Sequence, residues 1–295
     1  MAGKIICIGS VLWDVIGRAS AVMRVGSDVP GRITRLPGGV MMNIAMTLRA
    51  FQMAPVLLTA IGKDPEGDEL LAECRRIGLD IDHVYRSEDL PTDTYMAVEG
   101  ANGLVAAIAD AHSLEAAGAK ILRPLTQGPI GTAQTPFQGQ IVLDGNLTTA
   151  LLSEIAAHPA FGAADLRIAP ASPGKVERLR PLLAAPNAMF YVNKEEAGLL
   201  CQTEFEDAAS AAKGLCDLGA KRVLVTDGGR QAAESGPSGL CTATPPQVLV
   251  TRVTGAGDTF MAAHIAAEAS GASAQAALER GLRAAAAYVS GDVPS

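Results

Sequence analysis

This sequence predicts an α/β fold, a largely parallel sheet with helices on both faces, accompanied by a small extra β-sheet. Three observations predict it. Short apolar strand-like runs alternate with helical periods for most of the chain. Two stretches, 12–36 and 92–110, break that rhythm with short strand patterns and Gly and Pro turns. A length of 295 residues, 48% hydrophobic and 19% charged, supports one large core. The expectation is a single domain over 1–295, with the small sheet built from about 12–36 and 92–110.

Taken in order, residues 4–9 read as a buried strand, 40–51 as an apolar-faced helix and 55–61 as a second strand. Asp64-Pro65 predicts a helix start, with Asp as N-cap and Pro at the first helical position. That helix covers 66–77 and stops at Gly78. Residues 95–100 and 104–110, joined by Ala101-Asn102-Gly103, predict a hairpin with an Asn-Gly turn. The segment 119–139 carries no clear pattern. Further strands are expected at 140–144, 165–168, 188–192 and 222–226, most of them followed by a helix. Ser172 and Pro173 predict a capped helix start, and 247–251 reads as a strand leading to a helix over 259–269. Ligands of such sheets bind at the carboxyl ends of the strands.

Composition excludes several classes. A formal charge of −7 leaves no basic footprint for nucleic acid or an anionic membrane. Arg75-Arg76 and Lys221-Arg222 fall within ordinary helix or strand patterns and read as solvated faces. Five scattered cysteines, without a CxxC pair or Cys/His ligand spacing, support neither zinc nor a disulfide framework. No run of 18 apolar residues exists, and the first residues lack a signal-peptide layout. The expectation is a soluble cytoplasmic protein. The first strand is followed by Gly9-Ser10-Val11-Leu12-Trp13-Asp14 rather than GxGxxG, and no GxxxxGK[ST] is present, which speaks against a dinucleotide enzyme and a P-loop kinase.

The sharpest signal is Val253-Thr254-Gly255-Ala256-Gly257-Asp258-Thr259-Phe260 at a helix entry. Two glycines let the backbone turn tightly and approach a ligand. Free N–H groups at the helix start, with the helix dipole, favour an anion there. Such a turn suits a phosphoryl group in transfer, whose charge lies on its equatorial oxygens. Asp258, at the same turn, is placed to accept a hydroxyl proton.

Thr254-Gly255-Ala256-Gly257-Asp258 resembles the C-terminal signature of the ribokinase-like (PfkB) carbohydrate kinase family. The N-terminal signature is similar too, in Gly38-Gly39 with Asn43 and Ala45. Asn193-Lys194-Glu195-Glu196 resembles the family's Asn-x-x-Glu motif, and Thr226-Asp227-Gly228-Gly229 its nucleotide-binding strand end. The resemblance implies an ATP-dependent kinase with Mg²⁺ and a sugar or nucleoside acceptor. It implies Asp258 as base and the N–H groups of Gly255, Ala256 and Gly257 as anion hole. It further implies Asn193 and Glu196 holding Mg²⁺ through its waters, which Mg²⁺ retains when protein-bound, with Asn193, Thr226 and Gly228 on the nucleotide. Asp14, Gly38, Gly39 and Asn43 would contact the acceptor. The family's lid is a small sheet at the site mouth, which the two irregular stretches match. Dimerisation through that lid would bury apolar faces.

Within the family, Pro37-Gly38-Gly39-Val40-Met41-Met42-Asn43-Ile44-Ala45 is similar to the branch acting on pseudouridine at its 5′-hydroxyl. So are Thr94-Tyr95-Met96-Ala97-Val98 and Pro170-Ala171-Ser172 with Lys175. Thr94 and Lys175 are therefore expected at the substrate, Lys175 neutralising phosphate. That branch usually has Arg where this chain has Met42, and the wider family often opens its last signature with Asp where this chain has Arg252.

Overall fold

Five-residue apolar runs, too short for a helix and too apolar for a surface, dictate the centre of the fold. In the computed structural model, which describes residues 4–24, 26 and 28–291, they become the inner strands of the main sheet. Val25 and Ser27 of the 12–36 stretch, and both chain ends, lie outside the described residues. The chain runs β1 (Lys4–Ile8), β2 (Leu12–Arg18), β3 (Arg32–Gly38), α1 (Val40–Ala50), β4 (Ala54–Leu58), β5 (Ala60–Gly62), α2 (Pro65–Ile77) and β6 (Tyr85–Ser87). It continues through β7 (Thr94–Gly100), β8 (Gly103–Asp110), α3 (Ser113–Ala117), α4 (Arg123–Thr126), β9 (Gln140–Asp144), α5 (Thr149–Ala157) and β10 (Asp165–Ala169). The last part comprises β11 (Ala188–Asn193), α6 (Lys194–Cys201), α7 (Ala208–Asp217), β12 (Arg222–Thr226), β13 (Ala232–Gly236), β14 (Gly239–Ala243), α8 (Ala256–Ala269) and α9 (Ala274–Ser290).

The main sheet has the order β14-β13-β12-β11-β10-β9-β1-β4. It is parallel from β12 to β4, and β13 and β14 extend one edge antiparallel. Alternate side chains of each strand feed two cores. Ile6, Ile8 and Leu143 pack with Leu152 of α5 and Leu215 of α7. Ile5, Cys7 and Val142 face the other way, onto Met41 and Ile44 of α1, Leu70 of α2 and Phe260 of α8. Each large apolar side chain so buried contributes about 1.5–3 kcal/mol against exposure. That second core seats α8 against α1.

The remaining strands make two smaller sheets. β3-β2-β7-β8 form a four-stranded sheet in which β2 and β7 run parallel and the outer pairs antiparallel. β5 and β6 pair separately. In the four-stranded sheet Asp14 lies opposite Leu36 and Tyr95, so these three share one face. Val15, Met96 and Ile108 share the other, together with Ile33, and there Ile33 and Ile108 are 77% and 69% exposed.

Several local expectations hold. Asp64 accepts from the Gly67 N–H at 2.7 Å, Pro65 opens α2, and Gly78 closes it in the left-handed region. Others are corrected. The strand expected over 55–61 is two strands, β4 and β5, which join different sheets. Residues 247–251 form no strand: Pro245 and Pro246 remove two donors as the chain leaves the edge strand β14, and Leu249 is left exposed. Ser172 does not cap with its side chain, and Pro173–Leu182 is a 3₁₀ helix carrying Pro181. The hairpin turn is Ala101-Asn102, with Gly103 at φ 90° opening β8. No helix among the described residues is long and apolar enough to cross a membrane.

Candidate active site

The residues singled out by pattern gather at the carboxyl ends of the parallel strands, where backbone leaves the sheet and its polar groups are free. Ser10 follows β1 by two residues, β9 ends at Asp144, β10 ends before Lys175, β11 at Asn193 and β12 at Thr226. α8 brings the Gly-rich turn to the same region. Gly255 caps α8 with φ 88°, a conformation that favours glycine, and a Cβ there would also lie 2.6 Å from the Tyr288 hydroxyl. Nothing lies within 4 Å of where a Cβ on Gly257 would stand, so the space beside the helix start is open. The Ala256 N–H donates to the Val253 carbonyl at 3.0 Å. That leaves the N–H groups of Gly255, Gly257 and Asp258 as the donors of this turn with no backbone acceptor among the described residues.

Asp258 stands in the first turn of α8. Its Oδ2 accepts from the Asn43 Nδ2 at 2.9 Å. Burial pushes its carboxyl up to about 7; the Asn43 hydrogen bond opposes that, and the charges of Asp144 and Glu196 add to it. Asn43 lies on α1, whose N-cap is Gly39 at φ 94°. A Cβ on Gly39 would meet the Ser10 carbonyl at 2.5 Å, and one on Gly38 would collide with the Asp14 carboxylate. The two glycines thus let Asp14 and the start of α1 close on one another. Burial raises Asp14 to about 6.

Asn193 and Glu196 form a reciprocal capping box: the Glu196 N–H donates to Asn193 Oδ1 at 2.9 Å, and the Asn193 N–H donates to Glu196 Oε2 at 2.8 Å. Burial raises the Glu196 carboxyl to about 6, and no cationic side chain lowers it. Asn193 is in register with Thr226, and Gly228 follows at φ 58°. Asp227, between them, is ion-paired with Lys194 and Arg230. Past this turn a cleft of about 420 Å³ opens between Gln231, Thr242 and Pro246 on one side and Gln275, Glu279 and Arg283 on the other. A larger surface cleft, about 490 Å³, lies between Lys120, Arg123 and His158, and none of the residues expected at the site lines it.

Three residues escaped the sequence reading. Asp144, fully buried, accepts from the Ser10 N–H at 2.8 Å, the Ser10 hydroxyl at 3.1 Å and the Asn146 N–H at 2.8 Å. Asn146 donates to the Ser10 hydroxyl at 2.8 Å and accepts from Lys175 Nζ at 2.7 Å. Lys175 is thereby tied into the site through Asn146. Ser10 in turn accepts from the Val40 N–H at 3.0 Å, fixing the start of α1. The signal that could have found them is their position at the carboxyl ends of β1 and β9. Thr94 heads β7 in register with Trp13, so strand alternation puts Tyr95 rather than Thr94 on the face of Asp14.

The site combines several acids and an open helix N-terminus with Lys175, bonded to Asn146, and with Lys194 and Arg230, both paired to Asp227. It suits a polyphosphate that arrives with a divalent cation.

Comparison with known proteins gives the same direction. The family model described as "pfkB family carbohydrate kinase" matches residues 2–292. Pseudouridine kinase of Escherichia coli (strain K12) is 29% identical over 265 residues, covering 88% of this chain and 81% of that relative. Guanosine-inosine kinase of Exiguobacterium acetylicum is 29% identical over 305 residues, covering 96% of this chain and 93% of its own. Among solved structures, ribokinase from Thermotoga maritima superposes with a TM-score of 0.81 at 18% identity, over 100% of this chain and 97% of that one. That likeness establishes the ribokinase-like fold.

Proposed function

The chain belongs to the pfkB family of carbohydrate kinases and is an ATP-dependent kinase; we propose that its acceptor is a nucleoside, pseudouridine above others, phosphorylated at the 5′-hydroxyl. The observation that carries the chemistry is Asp258, held by Asn43 at 2.9 Å beside the open face of Gly257. Asp258 takes the proton of the attacking hydroxyl. The N–H groups of Gly255 and Gly257 receive the equatorial oxygens of the phosphoryl group as it moves. Thr226 and Gly228 face the nucleotide, whose base fits the cleft beyond them. Lys175 neutralises phosphate charge, a role supported by its bond to Asn146.

Asn193 and Glu196 would hold Mg²⁺ and its waters, and the raised Glu196 carboxyl, without a cationic partner, fits that use. When bound, the ion would supply neutralisation of the phosphate charge. Asp14 and Asn43 bind ribose hydroxyls, and the backbone at Gly38 and Gly39 lets them close on the ring. The four-stranded sheet acts as a lid on one continuous domain, with Tyr95 and Leu36, on the Asp14 face, near the nucleobase. Its opposite face, with Ile33, Met96 and Ile108, suits a second copy of the chain. A cytoplasmic location goes with these substrates.

Pseudouridine differs from uridine by its C–C glycosidic bond, which leaves an additional ring N–H. A site that accepts that hydrogen bond leaves its own acceptor unpaired with uridine, at a cost of about 1–3 kcal/mol. The likeness to the E. coli pseudouridine kinase supports this acceptor. A purine nucleoside is the second reading, favoured by the guanosine-inosine kinase match over nearly the whole chain. The test is ATP consumption with pseudouridine, uridine, cytidine, guanosine, inosine, ribose and fructose. We expect kcat/KM for pseudouridine roughly tenfold or more above uridine. Equal rates on the two would leave a general nucleoside kinase, and turnover of free sugars alone would remove the nucleoside.

A further inference from the structure

The loop that delivers the Gly-rich turn has no strand to hold it, yet its last residues are fastened at several points to the end of α9. The Thr251 and Arg252 N–H groups donate to the Val289 carbonyl at 2.8 and 3.3 Å, and the Thr251 hydroxyl donates to it at 3.0 Å. Arg252 Nε donates to the Tyr288 carbonyl at 2.8 Å, and its guanidinium lies 3.8 Å over the Tyr288 ring. The Tyr288 hydroxyl then donates to the Thr254 carbonyl at 2.9 Å. A cation at carbonyls in the last turn of a helix is favoured by the helix dipole, and a guanidinium over an aromatic face is favoured by the ring quadrupole.

The contact with Thr254 has a consequence for the next residue. A trans peptide is planar, so its carbonyl and the following N–H point in opposite directions. A donor that fixes the Thr254 carbonyl toward Tyr288 therefore fixes the Gly255 N–H away from it. Gly255 packs so closely on the Tyr288 hydroxyl that no side chain would fit.

We infer that Tyr288, held in place by Arg252, is a positioning residue that aims the Gly255 N–H at the phosphoryl group in transfer. The inference rests on the proposed role of the Gly255–Asp258 turn. Tyr288 touches neither substrate in this reading and acts through one peptide plane. Arg252 acts one step further back, by keeping the ring beneath the turn.

Tyr288→Phe tests this with the loss of one oxygen, the ring remaining for Arg252. The expected result is a fall in kcat of about tenfold with the best acceptor of the panel above, KM for ATP and acceptor staying within about twofold. Affinity for the transition-state mimic ADP with Mg²⁺ and aluminium fluoride should fall by a similar factor, while affinity for ADP and the melting temperature do not move. Arg252→Ala should lose activity in the same way and regain part of it with millimolar guanidinium. Wild-type kcat and mimic affinity in Tyr288→Phe, alongside an inactive Asp258→Asn, would overturn the inference while leaving the site standing. Full activity in both variants would overturn the site itself. Absence of guanidinium rescue in a folded Arg252→Ala would remove Arg252 from the device.

Discussion

Asn43 on the first helix donates its amide N–H to Asp258 on the eighth, 2.9 Å across a separation of 215 positions. The bond does two things to the carboxylate. It orients one oxygen toward α1, and it favours the ionised form against burial and the nearby charges of Asp144 and Glu196. The balance, about 7, puts the proton affinity of Asp258 where a base can both hold and release a proton near neutral pH. Catalytic readiness and destabilisation thus come from the same burial.

Asp258→Asn should therefore lose activity and gain stability. Removing the proton acceptor while keeping shape should cost roughly 10²-fold or more in kcat. The stability effect has a definite pH window. The carboxyl titrates at about 7 in the folded chain, against an ordinary value of 3.8. Well below 3.8 it is neutral in both states and costs nothing; above about 7 the folded chain must carry a charge that the unfolded chain carries freely. The cost grows across that interval, so the Asn variant should melt higher at pH 8 by a few degrees. The gain is on the order of 1 kcal/mol, discounted because the residue retains some exposure, and it should shrink as pH falls toward 4. Melting curves at the two pH values decide it, and equal melting temperatures at pH 8 would mean that this carboxylate is not strained.

Much of this site was legible because its parts are local. The Asn193–Glu196 motif needs four consecutive residues, though its capping box appears only in the structure, and the Gly255–Asp258 turn needs one helix start. Inner strands were legible as apolar runs, since a sheet buried on both faces tolerates little else. The Ser10–Asp144–Asn146 cluster was not, because its bonds span 134 and 136 positions and each residue looks like an ordinary turn polar group. Residues 247–251 misled for the opposite reason. Val248-Leu249-Val250 has strand composition, but among the described residues no neighbouring strand lies beyond β14, and the chain fastens instead to the carbonyl of Val289.

Glu196 allows its structural and metal-binding uses to be separated. Glu196→Gln retains an oxygen to accept the Asn193 N–H, so the cap and the melting temperature should be kept. Its affinity for Mg²⁺ should fall, read as a rise of about tenfold in the Mg²⁺ concentration needed for half-maximal turnover. Glu196→Ala should lose the cap as well, at about 0.5–2 kcal/mol of stability. A Gln variant with wild-type Mg²⁺ dependence would reduce Glu196 to a helix cap.

Gly257 and Gly38 should respond oppositely to the same added methyl group. An alanine at 257 meets no protein atom and replaces glycine inside a helix, so Gly257→Ala should fold at least as stably as the parent. It should nonetheless transfer phosphoryl groups at least tenfold more slowly, roughly the loss of one donor's approach. Gly38→Ala drives its methyl into the Asp14 carboxylate and should act on the acceptor side, raising acceptor KM more than it lowers kcat. Melting curves and steady-state kinetics on both variants read this directly, and normal turnover in a stable Gly257→Ala would mean that the open space there takes no ligand.

The four-stranded sheet offers two readings that amide hydrogen exchange can separate. Its Asp14 face carries Leu36 and Tyr95 and joins the site through Gly38, whereas its Ile33, Met96 and Ile108 face is uncovered. A lid that closes over the acceptor draws its opening from the least stable backbone, so the amides of β2, β3, β7 and β8 should exchange faster than those of β1 and β9 in the free chain. Acceptor should slow them by about tenfold or more while leaving the inner strands unchanged. A sheet buried against a second copy instead would be protected before any acceptor is added, and its protection would fall on dilution. Ile108→Glu distinguishes the two at the other face: it should split a dimer on a sizing column and leave acceptor-induced protection in place. Acceptor-independent exchange at every protein concentration would mean that the sheet is a fixed part of the structure, with neither closure nor partner.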